Sequence, residues 1–440
     1  MSKLKWMVVL LLTTLLTSIG TQAAPVFTTW QTRQGTPVYY LEADSLPMVD
    51  VKVTFAAGSA RDGKHPGVAA LTVNLLDSGA GDEDADAIAR RLENIGAQLV
   101  QTINRDFASL SLRTLSREDS LQSALETLTL LLREPTFAEA DFKREQARTL
   151  ASLKYQQALP GNIVNRAFYQ TLYPSHPYAH EPEGDITSVQ ALTVADVKDF
   201  YRRHYVAGNA MIVIVGALPR TQAEAVAQQL ADALPEGSAV AALPALAPAE
   251  QGVTRHIEFA STQTHIMAGL PGIGRTDPDY YALYLGNHIL GGRALVSRLF
   301  EEVREKRGLA YSASSYFMPL AQPGPFVISL QTRNSEAERA LDVARNTLAE
   351  FIEQGPTADE LASAKKNITG GFVMRFDSNA ELAGYAELIG FYGLPLDYLV
   401  TFTEAIAQQS VASVRAAFAR HVQLDRLNTL TVGQRQPDAQ

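Results

Sequence analysis

The feature that most limits how this chain can fold is a repeat. Thr193-Val-Ala-Asp-Val-Lys-Asp-Phe-Tyr-Arg-Arg-His204 returns 217 positions later as Ser410-Val-Ala-Ser-Val-Arg-Ala-Ala-Phe-Ala-Arg-His421. At the same spacing, the apolar run ending in Val215-Gly216 returns as the run ending in Val432-Gly433. Pro135-Thr136 and Pro356-Thr357 each precede a long helical pattern, and Leu112-Arg-Thr114 resembles Leu330-Gln-Thr332. A helix followed by a strand, repeated in order at a fixed separation, implies two copies of one domain. Between the copies, Leu234–Gln251 is rich in Ala and Pro and has little periodicity, as a linker should. The expected division is therefore a first domain over 24–234, a linker over 235–251 and a second domain over 252–440.

Within the first copy, Val51–Phe55 alternates apolar and polar residues as a strand does, and the loop Gly58–Pro66 follows. Gly67–Leu76 and Ala85–Ile95 have helical spacing, and Asp106–Leu115 reads as a strand. Helices are expected over Arg117–Arg133, Ala138–Gln157 and Asp196–Tyr205, with Ala210–Val215 as the closing strand. Strands and helices in this mixed order predict an α+β fold, each domain a largely antiparallel sheet with helices on one face.

Residues 1–23 have the pattern of a cleavable signal peptide: basic Lys3 and Lys5, an apolar Trp6–Leu16, then Thr21-Gln22-Ala23. The apolar run is well short of the ~20 residues that a membrane span needs. The expected destination is the periplasm or the exterior, with no membrane span once the signal is removed. The chain has no cysteine, so neither disulfides nor thiolate metal sites are available. Its 46% apolar content across 440 residues allows two sizeable cores. The net charge of −9 becomes more negative once Lys3 and Lys5 are lost. Nucleic acid is therefore a poor partner, since a phosphate backbone wants a basic stripe.

The segment Ser297–Tyr311 reads Ser-Arg-Leu-Phe-Glu-Glu-Val-Arg-Glu-Lys-Arg-Gly-Leu-Ala-Tyr. Leu295, Leu299 and Val303 recur every fourth residue, which predicts a helix with a buried stripe. Lys306 and Arg307 then fall in its last turn, Gly308 at a left-handed cap, and Ala310–Phe317 reads as a strand. Arg304 and Tyr311 would thus flank one tight turn and could converge on one small target. Equally, Arg304 could be a solvated helix-end cation and Tyr311 a packed strand residue.

Leu290-Gly291-Gly292 followed by Ser297–Tyr311 resembles the C-terminal half of pitrilysin-type (M16, insulinase-like) zinc peptidases, particularly the short two-domain, mitochondrial-processing-peptidase-like branch. The resemblance implies two homologous α/β sandwich domains facing each other like a clam shell. It also implies that Arg304 and Tyr311 reach a substrate carbonyl. A fixed cation and an O–H donor suit an oxyanion, and one such donor can contribute roughly 3 kcal/mol.

Active members of that family carry His-x-x-Glu-His on the first helix of the N-terminal domain, with a further Glu downstream as third ligand. The flanks of the motif are present as Gly58–Asp62, Pro66–Ala69 and Leu75–Gly79, but the motif itself reads Ala70-Leu-Thr-Val-Asn74. Ala70 and Asn74 stand at the two His positions and Val73 at the Glu. Downstream, Glu145 fits an acidic position, and Ser152 falls where the third ligand is expected. Ala and Val cannot ligate zinc, and Asn is a weak ligand alone. No metal site is expected in this chain.

His176-Pro-Tyr-Ala-His180 has ligand spacing but is bracketed by prolines, and His65 reads as a turn residue. His204 and His421 occupy matching repeat positions, which implies a shared structural role. An intact Arg/Tyr pair without zinc ligands resembles the non-metal subunit of two-chain peptidases. The leading expectation is a heterodimer with a zinc-bearing homologue acting on a peptide or unfolded protein, the zinc lying in the partner. The Asp106–Leu115 strand is the expected peptide-pairing edge. The alternatives are a catalytically inert peptide-binding or scaffold protein and an active peptidase with an altered metal site.

Overall fold

The computed structural model describes residues 25–247, 251–293 and 295–435. The expected signal peptide lies outside the described residues. Six strands form the first sheet: Thr28–Gln31 (β1), Pro37–Glu42 (β2), Met48–Phe55 (β3), Gln98–Ile103 (β4), Ala108–Leu115 (β5) and Ala210–Gly216 (β6). Their spatial order is β1-β2-β6-β3-β5-β4. Five strands form the second sheet: Thr254–Glu258 (β7), Gln263–Pro271 (β8), Ala310–Phe317 (β9), Pro325–Arg333 (β10) and Asn428–Gly433 (β11). Its order is β9-β10-β8-β11-β7.

The second sheet repeats five strands of the first. In each, one parallel pair (β2 with β6, β7 with β11) sits beside an otherwise antiparallel ladder. The repeated helices are Val194–His204 and Val411–His421, and each opens on a capping box, Thr193/Asp196 and Ser410/Ser413. The reciprocal side-chain bonds satisfy donors that a helix start leaves free.

Each sheet packs its own helices on one face. Leu121, Leu125 and Leu128 meet Val51, Val53 and Leu110 in the first core. Ala340, Ala344 and Leu348 share the second core with Ile266, Ile328 and Leu330. The opposite faces are covered by helices exchanged between the halves. Pro160–Leu172 of the first half sets Val164 and Phe168 against Met267, Val327, Leu430 and Val432 of the second sheet. Asn379–Tyr392 of the second half sets Ala386 and Ile389 on the side of the first sheet that carries Met211, Val213 and Val215. This explains the sequence of β6, Ala-Met-Ile-Val-Ile-Val: a strand buried on both faces has no reason to alternate. The approach is close enough that a Cβ on Gly390 would lie 2.3 Å from the Met211 sulfur.

Two buried carboxylates tie the halves together. Glu387 takes hydrogen bonds from Lys52 Nζ and Thr54 Oγ1, each 2.6 Å long. Asp106 accepts from the Tyr178 hydroxyl, from the Tyr392 hydroxyl at 2.9 Å and from the Ala321 amide at 2.8 Å. Burial, then the Asp106 charge, pushes the Tyr178 and Tyr392 phenols well above their ordinary value, so both donate as neutral groups. The segment after Leu234 has no regular structure but is pinned: His176 Nε2 lies 3.0 Å from the Pro244 carbonyl, and Leu243 and Leu246 pack against the core around Phe168.

Two expectations are corrected. The strand expected over Asp106–Leu115 begins at Ala108 and lies inside the sheet between β3 and β4. The edges of this sheet are β1 and β4, and the residues of β4 alternate between exposed and half-buried. Leu295 is 69% exposed and belongs to no buried stripe, whereas Leu299 and Val303 are fully buried.

Candidate functional site

The helix expected before Arg304 is a short π-helical segment, Phe300–Glu305. The wider turn still buries Phe300 and Val303, and its last residues fold back onto Gly308. Gly308 has φ +60°, donates its amide to the Arg304 carbonyl at 2.8 Å and closes the segment in the left-handed conformation that the sequence predicts. Single π-turns of this kind are rare, and those that occur are frequently at functional sites.

Two residues on, the ladder between β9 and β10 slips: Ala310 pairs with Thr332 and Ser312 with Gln331, leaving Tyr311 as a bulge. A bulged residue is freed from the ladder and turned away from its neighbours. Tyr311 is accordingly 79% exposed. The Arg304 guanidinium lies 4.7 Å from the Tyr311 ring centre and 4.8 Å from that of Phe300. Lys306 and Arg307 pair with Glu302, at 2.6 and 2.5 Å, whereas among the described residues Arg304 has only Glu305, at 3.8 Å. The structure thus brings the predicted pair together as a cation stacked on an exposed phenol, beside a cavity of about 400 Å³.

The degenerate metal position is elsewhere. Val68–Asn74 forms a helix whose start is capped by Asp62, which accepts from the amides of Gly67 and Ala69 at 2.7 and 2.9 Å. Ala70 and Val73 are buried hydrocarbon. Asn74 directs its amide Nδ2 to Glu145 at 3.1 Å, and Glu145 is also held by Arg148 through two 2.7 Å bonds. That bonding holds the Arg148 guanidinium above its ordinary value. Nearby, burial pushes the Asp77 carboxyl up, opposed by a hydrogen bond with Gln101. Ser152 is exposed on the helix Glu139–Gln156 and accepts from Gln156 at 3.3 Å. These residues do not fit a zinc ion: one carboxylate is already paired with a guanidinium, and the other positions offer a methyl, an isopropyl, an amide donor and an exposed hydroxyl. The cavity beside Arg304 takes no wall residue from 68–74 or 145–152.

Both ring nitrogens of His176 are engaged, one by the Tyr178 amide and one with the Pro244 carbonyl. His204 and His421 share a position in the fold but not a role. His204 is buried against the Phe200 ring, with Nδ1 on the Phe200 carbonyl, whereas His421 meets Asp279 at 2.8 Å. Asp277, Asp279 and His421 cluster closely, but Arg420 also binds Asp279 and makes the group an ion-paired tie between helices. Sequence reasoning missed the β4 edge and the bulge at Tyr311. Gln-Leu-Val-Gln-Thr-Ile lacks the strict alternation of apolar and polar residues that marks a strand, and a bulge leaves no mark in one sequence.

Comparison with known proteins places both halves in one family. Residues 38–184 match the family described as insulinase (peptidase family M16), and residues 191–368 match that described as peptidase M16 inactive domain. A crystal structure described as the peptidase M16 inactive domain from Pseudomonas fluorescens is 40% identical, with a TM-score of 0.90 over 93% of this chain and 99% of that one. A protease structure from Helicobacter pylori has the same fold at 19% identity, with a TM-score of 0.86 over 94% of this chain and all of the other (100%). Among curated relatives, a protein of Streptomyces coelicolor described as an uncharacterized zinc protease is 27% identical over 78% of this chain and 76% of its own length. One from Helicobacter pylori described as a non-peptidase homolog is 24% identical over 91% of this chain and 93% of its own.

Proposed function

Because this chain belongs to peptidase family M16 through both of its halves, we propose that it is the zinc-lacking member of a secreted two-chain peptidase. In this reading its second half faces the metal site of a zinc-bearing homologue. Arg304 and Tyr311 hold the carbonyl oxygen of an extended peptide while the partner carries out hydrolysis. The observation that carries the reading is the stack of a half-buried Arg304 on the exposed Tyr311 phenol. The Tyr311 hydroxyl donates to no described residue, and Arg304 lacks a close carboxylate, so both keep donors free for an oxygen that develops charge. The β4 edge offers unpaired backbone groups on which a peptide can add as a further strand.

The test is reconstitution. The purified chain is mixed with an M16 homologue from the same cell that carries His-x-x-Glu-His, and peptide hydrolysis is followed. Arg304→Ala or Tyr311→Phe should lower kcat/KM of the mixture by about 100-fold each. Unchanged hydrolysis with either variant would sink the assignment. A second reading, peptide binding or scaffolding without turnover, is favoured by the Arg148–Glu145 pair at the metal position. It predicts binding but no hydrolysis in any mixture.

A further inference from the structure

We propose that a separate cavity in the second half binds an organic monocarboxylate with an aromatic or branched apolar body. The cavity has two lobes, of about 490 and 350 Å³, which share Arg275, Tyr280, Tyr284 and Arg375. It has no wall residue in common with the cavity beside Arg304. One wall is the other described π-helical segment, His288–Gly292.

The argument rests on Arg275. Its guanidinium lies 4.5 Å from the Tyr280 ring centre, Nη1 donates to the Tyr280 hydroxyl at 3.1 Å, and Nη2 donates to the Tyr398 hydroxyl at 3.1 Å. Its Nε is buried without a partner. Among the described residues no carboxylate stands within ion-pair distance of Arg275 or of Arg375. Burial holds the Tyr398 and Tyr284 phenols above their ordinary value, so they supply dipoles and no counter-charge. Among the described residues the one acid on the walls is Glu381, at the outer lobe, which accepts from Ser378 at 2.9 Å. A largely covered guanidinium whose hydrogen-bond partners are neutral hydroxyls is incomplete, since buried charges are normally paired.

The rest of the cavity fits the remainder of such a ligand. Leu283, Phe317, Phe372 and Phe402 supply apolar wall. On the inner lobe the His288 Nε2 is also buried and unpartnered. Burial, then the charges of Arg293 and Arg375, lowers the affinity of that ring for a second proton, so it meets the ligand as a neutral imidazole. Two of the five guanidinium N–H donors of Arg275 are in use, which leaves a number suited to one carboxylate.

A free acid and the C-terminus of a peptide share this chemistry. Calorimetric titration of the full chain with hydrocinnamate and with hydrocinnamide, which differ only in the charge of the head group, tests the proposal without any variant. The acid should bind at least ~10-fold more tightly than the amide. Arg275→Gln should erase that preference. Arg375→Gln, a change at an exposed side chain that leaves the core untouched, should reduce it. Titration with N-acetyl-glycyl-phenylalanine and its C-terminal amide separates the two sources: tighter binding of the peptide acid than of hydrocinnamate identifies a chain end, and the reverse identifies a free acid. Equal affinity for acid and amide, no binding of either, or an undiminished preference in both arginine variants would overturn the site.

Discussion

Arg148 and Glu145, three residues apart on one helix, are joined by two 2.7 Å hydrogen bonds, with Asn74 completing the carboxylate's partners. A metal entering here would have to break a paired charge and would meet an amide donor. The unaltered chain, dialysed against zinc and then against buffer, should therefore retain no stoichiometric metal by elemental analysis. Ala70→His, Val73→Glu, Asn74→His and Ser152→Glu installed together should raise zinc retention, and adding Arg148→Ala should raise it further by releasing Glu145. One zinc per unaltered chain would contradict this account.

Tyr311 is exposed, and Arg304 is half-buried over the Phe300 ring with no ion pair among the described residues closer than 3.8 Å, so trimming either should affect folding little. Arg304→Ala and Tyr311→Phe should each shift the unfolding free energy by no more than about 0.5 kcal/mol. Urea titration followed by circular dichroism measures this. A loss of several kcal/mol would mean that the pair is a packing element and that any kinetic effect is indirect.

What the sequence made legible follows from which forces act locally. The repeat fixes helix and strand order because caps, periodicity and turn glycines act within a few residues: Thr193/Asp196 and Ser410/Ser413 are readable as capping boxes, and Gly308 as a left-handed cap. The positions of Ala70, Val73, Asn74 and Ser152 are likewise set by flanking motifs, and the structure places the first three on one helix. Leu295 misled because a fourth-residue spacing cannot report where a helix begins. The exchange of helices Pro160–Leu172 and Asn379–Tyr392 was not readable, since it depends on which distant face each stripe covers. The role of Asp106 was equally hidden, because its partners Tyr392 and Ala321 lie more than 200 residues away in the chain.

Asp106 should therefore be a long-range stability determinant. Replacing it leaves the Tyr178 and Tyr392 hydroxyls and the more exposed Ala321 amide without their acceptor, and an unpaired donor costs about 1–3 kcal/mol where water cannot reach it. Asp106→Ala should lower stability by roughly 3 kcal/mol, and Tyr392→Phe by about 1 kcal/mol. The two effects should be non-additive in a double-mutant cycle, because both act on one bond between the halves. Strict additivity would show that the contact contributes nothing to holding the halves together.

Asp62 gives a pH dependence whose sign can be worked out. Burial pushes its carboxyl up to about 7, against the pull of the Gly67 and Ala69 amides in the other direction. An unfolded Asp titrates near 3.9. Between these values the folded chain holds a proton that the unfolded chain has lost, so unfolding releases it and stability falls as pH rises. The contribution from Asp62 is thus complete below about pH 4, declines from there to about 7 and is level above. Denaturant midpoints measured across that window should show this decline. Asp62→Asn, which cannot titrate and keeps one acceptor for the helix start, should flatten it at the cost of about 1 kcal/mol for the lost hydrogen bond. If the slope between pH 4 and 7 is the same in both proteins, or if stability rises through that window because of Asp62, the carboxylate is ionised in the fold and the two amide donors outweigh burial.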